Sequence, residues 1–327
     1  MSEGQDSRES LDLQPQIPEP TGDARLDHAA REAFVRRIIA QSGLPRISSD
    51  LTYIMADLGT PPIDPEQGHT VLEHSVGVKG IVRRIREGID RLDGMTFPVE
   101  QDSAEHELAA FLHDVGKYGP VRMFGLLPPG ENPLIKFFNI NFDPKKYPPV
   151  QTPVKTALEL AIRWGFITVF DAYCITEAIK SSGVKVDECT LRDFYNLHTY
   201  WGSLNLEGEN LPDDVKIVAP PHHNVNRTSK HPINRILYPR DLTGTAVIET
   251  ADKVDALISR RANIIVGSTV DGAIEMVRQS IDGCVFPEVR DMYTAFMQGV
   301  TRSGVLKQAV VEERQARKRA RKAKETA

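Results

Sequence analysis

Apolar residues recur along most of the chain with the period of an α-helix. Between residues 69 and 92, for example, Val71, Val78, Ile81 and Ile85 fall on one helical face. The same period predicts nine helices, at residues 25–42, 69–92, 102–116, 154–165, 169–182, 190–208, 244–265, 269–283 and 287–299. We see no sustained alternation of apolar and polar residues, the pattern of a half-buried strand. The sequence therefore predicts an all-α fold.

Two stretches interrupt this helical pattern with turn-forming residues. Residues 118–153 are dense in proline, glycine and asparagine, and they predict an inserted loop region that could carry short strands. Together with the segment that follows, the insertion is expected to span about 118–190. The second stretch follows a proline-rich break at 219–221 and reads PHHNVNRTSKHPINRILYPR, which predicts another loop.

The two ends of the chain differ in composition from the middle. Residues 1–24 are acidic, rich in serine, glutamine and proline, and lack the apolar segment of a signal peptide, so a disordered tail is expected. Residues 307–327 are strongly basic and show no apolar stripe after Val311. They predict a solvated or disordered tail that catalysis does not need, with contact to nucleic acid or to an anionic membrane as the alternative. One domain is expected over 25–306.

Composition narrows the class of protein. The chain has 327 residues, 40% apolar and 26% charged, with a net charge of −5, so the protein as a whole is not a binder of polyanions. The cysteines Cys174, Cys189 and Cys284 are far apart, which excludes a disulfide framework and a cysteine metal site and fits a reducing compartment. No apolar run is long enough to cross a bilayer. We expect a cytoplasmic enzyme.

Histidine and aspartate residues stand out by their local contexts. The stretch FLHDVGKYGP places His113 and Asp114 side by side at the end of an apolar helix. Neutral imidazoles and carboxylates are ligands that Fe and Mn accept without cysteine, and the two oxygens of Asp114 could bridge two ions. Singly, such residues are more often satisfied core or surface residues. The further candidates are the adjacent pair His222 and His223, His198 among aromatic residues, and Asp252 on a buried helical face.

A family resemblance connects these motifs. The segments EHSVGV, LHDVGK, LHTYWG, HH and ETADKVDALISRR occur in this order and resemble the HD superfamily of metal-dependent phosphohydrolases. The order and separations are similar to those of the HD-GYP branch, the cyclic di-GMP phosphodiesterases. The resemblance covers roughly 65–300.

The resemblance implies an all-α HD-domain helical bundle with a binuclear metal centre and a loop-rich insertion. It implies two divalent transition-metal ions, Fe or Mn, and hydrolysis of a cyclic dinucleotide or another phosphodiester by metal-activated water. One ion would be bound by His74, His113, Asp114 and Asp252, and the other by Asp114, His198, His222 and His223. Asp114 would bridge the ions as a catalytic residue, Lys117 and Arg261 would contact phosphate, and Arg235 could add a phosphate contact from the second loop.

The chain departs from the HD-GYP pattern at two places. Thr70 stands where some members carry a glutamate that gives a third metal, which favours two metals here, although His69 and Glu73 could ligate instead. The GYP motif is absent, because the chain reads HHNVNRTSKHPINR where the branch has HHERxDGSGYP. The loss concerns the seating of the dinucleotide and leaves the metal chemistry intact.

Three other functions remain open at this point. An HD-type nuclease acting on single-stranded nucleic acid would use a similar ligand order, but the acidic net charge counts against it. A di-iron oxygenase of the HD fold would use the same ligands, but it has no need for the phosphate-binding Lys117. A sensor that binds a nucleotide without catalysis would also keep the metal site. A homodimer is left open as well.

Overall fold

The computed structural model describes residues 17–18, 20–41, 47–61, 70–90, 103–226, 242–258, 269–281 and 287–326. Over these ranges the chain forms helices and no strand, and its β contact is an isolated antiparallel bridge between Pro153 and Thr190. The predicted all-α fold class is confirmed.

The described ranges contain fourteen α-helices. They are α1 (Ala24–Gln41), α2 (Ser49–Asp57), α3 (Val71–Asp90), α4 (Ser103–Leu112), α5 (Val121–Phe124), α6 (Pro133–Phe138), α7 (Val154–Arg163), α8 (Val169–Ser181), α9 (Leu191–Glu207), α10 (Asp213–Val218), α11 (Leu242–Ile258), α12 (Val270–Ile281), α13 (Pro287–Arg302) and α14 (Val305–Thr326). Short 3₁₀ helices cover Val115–Tyr118, Val186–Glu188 and Pro220–Asn226. Each of the nine predicted helices has a counterpart, although residues 259–265 lie outside the described residues.

Local capping explains several helix starts. Thr168 begins α8 and Thr190 begins α9, and each makes a capping box with the aspartate three residues later. Asn132 caps α6, where Pro133 occupies the first turn without a lost hydrogen bond. These short polar side chains satisfy amide groups that a helix leaves unpaired at its N-terminus.

The insertion differs from its predicted form. Residues 118–153 form α5 and α6 in place of short strands, and the rest of the insertion forms a 3₁₀ helix and the helices α7 and α8, which were predicted. Together with α9 they bury a second hydrophobic core, in which the rings of Phe137 and Phe194 lie 4.9 Å apart and Trp201 is fully buried. The expected short strands are wrong, because tertiary packing stabilises short helices that local propensity leaves undecided.

The main core is formed by the helices outside this insertion, with α3, α4 and α11 at its centre. Buried residues on these helices include Leu72 and Ile81 of α3, Leu108 of α4 and Val254 of α11. The α9 helix faces the insertion core with Phe194 and Trp201, and it also packs against the 3₁₀ helix that follows α4. Helices from the two cores therefore meet near residues 113–118.

The C-terminal segment is not the expected solvated tail. Residues 305–326 form α14, which packs along α3. Its inner face buries Ala309, Val310, Glu313 and Ala316, whereas Arg314 is exposed. The prediction was wrong because beyond Val311 this face is made of alanine and of charged residues, whose partners lie on α3 and α11, so it carries no apolar stripe there.

The remaining expectations about the ends and loops concern mostly undescribed residues. Residues 1–16 of the predicted N-terminal tail lie outside the described residues, and so does the second loop from 227 to 241. Among the helices that are described, none combines the length and the apolarity needed to cross a membrane.

Candidate metal centre

Three histidines of the candidate centre are oriented by the same local hydrogen bond. In His113 and His222, ring atom Nδ1 lies 2.7 and 2.8 Å from the carbonyl oxygen three residues earlier, and His198 makes the same contact with Tyr195. A carbonyl oxygen only accepts, so Nδ1 must carry the proton and donate. In the neutral ring, Nε2 then keeps its lone pair for another partner.

His74 is oriented by aspartates of α11 in place of a carbonyl group. Its Nδ1 lies 2.7 Å from Oδ2 of Asp255, and its Nε2 lies 2.7 Å from Oδ1 of Asp252. The two aspartates are three residues apart on α11 and therefore project from one face of the helix toward α3.

Two groups of ligand atoms contain the residues expected at the two ions, apart from the shared Asp114. They are His74, His113 and Asp252, and His198, His222 and His223, each with its ligand atoms within 4.8 Å of one another. A third group with the same spacing, His113, Asp114 and His222, overlaps both of them.

Asp114 lies between the two groups with one oxygen toward each. Its Oδ1 is 3.3 Å from Nε2 of His198 and 3.9 Å from Nε2 of His222. Its Oδ2 is 3.5 Å from Nε2 of His113 and 3.8 Å from Nε2 of His74. A carboxylate with this arrangement can donate one oxygen to each of two ions.

The carboxylates and ring nitrogens of this centre are buried, which costs free energy unless a cation or another partner binds them. The side chains of His74, His113, Asp114 and His222 are at most 1% exposed, whereas that of His223 is 29% exposed. The Nε2 atom of His113 has no hydrogen-bond partner among the residues that the structure describes. Buried polar atoms are rarely left unpaired, so this atom favours a ligand at the position that it faces.

The pKa shifts divide the carboxylates from the imidazoles. Burial opposes ionisation of Asp114, but the Lys117 ammonium and the neighbouring imidazoles outweigh it and hold its pKa well below the usual value. Burial likewise opposes ionisation of Asp252, whose pKa is held well below its usual value by nearby imidazoles. Burial lowers the pKa of His198 to about 4 and that of His222 well below 6.5. At neutral pH these groups are therefore carboxylates and neutral imidazoles, the forms that bind metal.

The pKa of His113 shifts in the opposite direction to the pKa values of His198 and His222. Burial opposes its charged form, but the carboxylates of Asp114 and Asp252 outweigh burial and raise its pKa. Positive charge is thus favoured at the centre between these residues. The donor set of nitrogen and carboxylate oxygen, with no cysteine, fits divalent metal ions.

Lys117 lies at the edge of the same centre. Its Nζ donates to Oδ2 of Asp114, and its side chain is 15% exposed. Arg261 and Arg235, the other predicted phosphate contacts, lie outside the described residues. Glu73 makes a capping box with Thr70 at the start of α3, with its Oε2 2.6 Å from the Thr70 amide, so its carboxylate already serves the helix. His69 lies outside the described residues.

Two features of the site were missed in the sequence. Asp255 was not singled out, although its spacing of three from Asp252 was a usable signal. Gly116 was interpreted only as a helix end, but a Cβ there would lie 1.8 Å from the carbonyl oxygen of His198 and 2.3 Å from the amide nitrogen of Gly202. The absence of a side chain at Gly116 therefore lets α9 approach Asp114 closely enough to bring His198 to it.

The fold and the site define an all-α protein with a candidate dinuclear centre of histidine and aspartate. The family model of the HD domain matches residues 71–130, which include His74, His113, Asp114 and Lys117. The match supports the HD superfamily, whose members are mostly metal-dependent hydrolases. Comparisons with curated proteins and with solved structures found no significant match.

Proposed function

We propose that this protein is a metal-dependent phosphodiesterase with two divalent ions, Fe or Mn, bound at the candidate centre. The observation that carries the proposal is the position of Asp114, whose two oxygens each face a different group of ligand atoms. Support also comes from the HD-domain match, which covers the His113–Asp114 pair.

The ligand roles follow the two groups. His74, His113 and Asp252 would hold one ion together with Oδ2 of Asp114. Oδ1 of Asp114 would join the other group, His198, His222 and His223, at the second ion. When bound, the two ions would supply an activated water near neutral pH and positive charge for the phosphoryl oxygens.

The chain itself contributes orientation and charge. The Nδ1 bonds of His113, His198 and His222 hold each ring so that Nε2 points inward, and such outer contacts keep a ligand in its binding tautomer. We assign to Lys117 the task of holding a phosphoryl oxygen, because its ammonium lies at the shared carboxylate and its side chain is reachable from solvent. A compact ammonium suits that task as a point charge.

For the substrate we propose a cyclic dinucleotide, with cyclic di-GMP as the first compound to test. This choice rests on the resemblance of the motif order to the HD-GYP branch. Two arginines would provide further phosphate contacts. Arg235 belongs to the segment that replaces the GYP motif, and Arg261 follows α11 in the sequence.

The test combines metal analysis with turnover. Protein purified without chelator should contain about two equivalents of Fe or Mn, and it should hydrolyse cyclic di-GMP faster than single-stranded DNA or a simple diester. Preferred cleavage of single-stranded DNA would indicate a nuclease, and oxygen consumption without diester hydrolysis would indicate an oxygenase. Binding of the dinucleotide without turnover would indicate a sensor. A metal content near zero after reconstitution with Fe and Mn would contradict the metal centre itself.

The bridging role has its own variants. Asp114→Ala should lose both ions, because one carboxylate serves two sites, whereas His223→Ala should mainly weaken one. In each variant the affinity for the affected ion should fall by about tenfold or more. His106→Gln is the matched control, because His106 is buried on α4 and belongs to neither ligand group. Equal metal content in Asp114→Ala and in the unaltered protein would contradict the bridge.

A further inference from the structure

The C-terminal helix packs on one stripe of α3 that leads to the metal centre. Gly77, Arg84 and Gly88 lie on the same face of α3, at spacings of seven and four residues. A Cβ at Gly88 would lie 2.7 Å from Cγ1 of Val305, at the start of α14. Contacts with α14 run in reverse order along this stripe, so the two helices are antiparallel.

Ion pairs continue this contact toward the centre. Nη1 of Arg84 lies 3.3 Å from Oε2 of Glu312, and its Nε lies 3.5 Å from Oε2 of Glu313. Glu313 is fully buried, and its Oε1 accepts a 3.0 Å hydrogen bond from Nε of Arg317. A buried carboxylate is costly without such partners, so these bonds hold α14 in a defined register on α3.

Arg317 reaches across α3 to the aspartate that orients a ligand. Its Nη2 donates to Oδ1 of Asp255, whose Oδ2 lies 2.7 Å from Nδ1 of His74. Asp255 is fully buried between the guanidinium and the imidazole. A chain of contacts thus runs from α14 through α11 to the Nδ1 side of His74, with the Nε2 side facing the metal centre.

A gap in α3 makes this contact possible. A Cβ at Gly77 would lie 1.7 Å from Nη2 of Arg317 and 2.7 Å from Oδ1 of Asp255. Any other residue at this position would displace the guanidinium. Gly77, in the middle of a helix where glycine costs about 1 kcal/mol relative to alanine, therefore has a packing reason.

We propose that Arg317 is a positioning residue of the metal centre, which holds Asp255 so that His74 keeps Nδ1 protonated and Nε2 aimed at the ion. The proposal rests on the metal centre of the proposed function. It makes the C-terminal helix a part of the site, in contrast to a dispensable tail. Because His74 belongs to one ligand group only, Arg317 should act on one of the two ions.

The test is a titration of chelator-treated protein with Mn²⁺, with affinity and stoichiometry measured by calorimetry. The unaltered protein should bind two ions. Arg317→Gln should lower the affinity for one ion by about tenfold or more, as the loss of an outer contact to a ligand does, and leave the affinity for the other unchanged. Arg317→Lys should recover part of the loss, because an ammonium lacks the fork that contacts two carboxylates.

Matched controls separate positioning from general loosening of α14. Arg314→Gln removes an exposed arginine from the same helix without touching Asp255 or its partners, so both affinities should stay unchanged. Gly77→Ala should reproduce the site-selective loss with Arg317 intact, whereas Gly88→Ala, which crowds Val305, should not. Truncation after Ala316 should lower the affinity for one ion, because it removes Arg317, and truncation after Lys322 should leave both affinities unchanged.

The outcomes distinguish this proposal from the proposed function. If the unaltered protein binds neither Mn²⁺ nor Fe²⁺, both fall. If it binds two ions and Arg317→Gln binds two with unaltered affinity, only the role of Arg317 falls. Equal weakening in Arg314→Gln and Arg317→Gln would also overturn that role. Should Arg317→Gln fail to fold, as judged by circular dichroism, the pair Gly77→Ala and Gly88→Ala decides.

Discussion

At the scale of single residues, the candidate centre depends on which ring nitrogen each histidine offers. The rings of His113, His198 and His222 are each oriented by a hydrogen bond from Nδ1 to a carbonyl group one helical turn earlier. The ring of His74 is oriented by a carboxylate. The carbonyl groups fix Nδ1 as the protonated atom of the first three rings, whereas both nitrogens of His74 face a carboxylate. The ligand atoms are therefore preorganised by neighbours that belong to the same helix or pack directly on it.

Lys117 is the residue whose replacement should separate metal binding from turnover. Lys117→Ala should keep the fold and both ions but lose on the order of a hundredfold in diester turnover, as when one donor to a developing anion is deleted. Lys117→Arg should recover only part, because a planar guanidinium does not replace a compact ammonium. The measurement is kcat on a diester beside metal content. Undiminished turnover in Lys117→Ala would remove the lysine from the phosphate site and bring the oxygenase back into consideration.

Gly116 should be intolerant of a side chain. In Gly116→Ala the new methyl group would collide with the His198 carbonyl, 1.8 Å away, so α9 would have to move away from Asp114. We expect the free energy of unfolding to fall by about 1–3 kcal/mol, as is typical of overpacking. The affinity for the second ion should also fall. Gly208→Ala is the control, since a Cβ at the end of α9 meets nothing within 4 Å. Denaturant unfolding and metal analysis measure both effects. A Gly116→Ala protein as stable as Gly208→Ala would disprove the close contact.

At the scale of elements, α9 illustrates how local and tertiary requirements coincide. Its capping box fixes its start at Thr190, and a single face buries Trp201 in the insertion core and presents His198 to Asp114. The helix was predicted within a residue of its observed ends. Its role as the link between the insertion and the centre was not.

The cap of α9 should contribute stability without affecting metal binding. Thr190→Ala removes the hydroxyl that accepts from the Asp193 amide, which should lower the free energy of unfolding by about 1 kcal/mol. His198 lies two turns further along, so the Mn²⁺ affinities should not change. Ser203→Ala on the same helix removes a hydroxyl that bonds only to a carbonyl of its own helix and should have less effect. A larger loss in Ser203→Ala than in Thr190→Ala, measured by denaturant unfolding, would argue against the cap.

At the scale of the whole molecule, the buried imidazoles make the metal-free protein sensitive to acid. The pKa of His198 is about 4 in the folded protein and 6.5 in an unperturbed side chain, so between these values the unfolded chain binds a proton that the folded chain does not. The free energy of unfolding should therefore fall as pH falls from about 6.5 to 4, by up to about 3 kcal/mol from this residue. His222 acts in the same direction, and His113, whose pKa is raised, offsets part of the loss.

Denaturant unfolding of chelator-treated protein at pH 7.5, 6 and 5 tests this expectation. The carboxylates Asp114 and Asp252, with lowered pKa values, lose their contribution only below their ordinary pKa of 3.8, outside this window. His198→Gln should flatten the dependence. Stability that stays constant from pH 7.5 to 5 in the unaltered protein would show that the imidazoles are not buried in the neutral form.

The sequence was sufficient for those features that depend on neighbours along the chain. Helical periodicity located nine helices, because the period of a buried face is a local property of 10 to 20 residues. The ligand-bearing motifs were also local, since His113 and Asp114 are adjacent and so are His222 and His223. Once their types and order resembled an HD site, the grouping of seven side chains could be expected.

Features that depend on distant residues came only from the folded chain. His74 and Asp255 are 181 positions apart, and Asp255 and Arg317 are 62 apart. No periodicity relates such positions, because their contact is set by how α3, α11 and α14 pack. The same cause explains the error about the C-terminal segment. Beyond Val311 its inner face of alanine, glutamate and arginine resembles a solvated surface until Arg84 and Asp255 lie opposite it, and only then does burial of those charges become favourable.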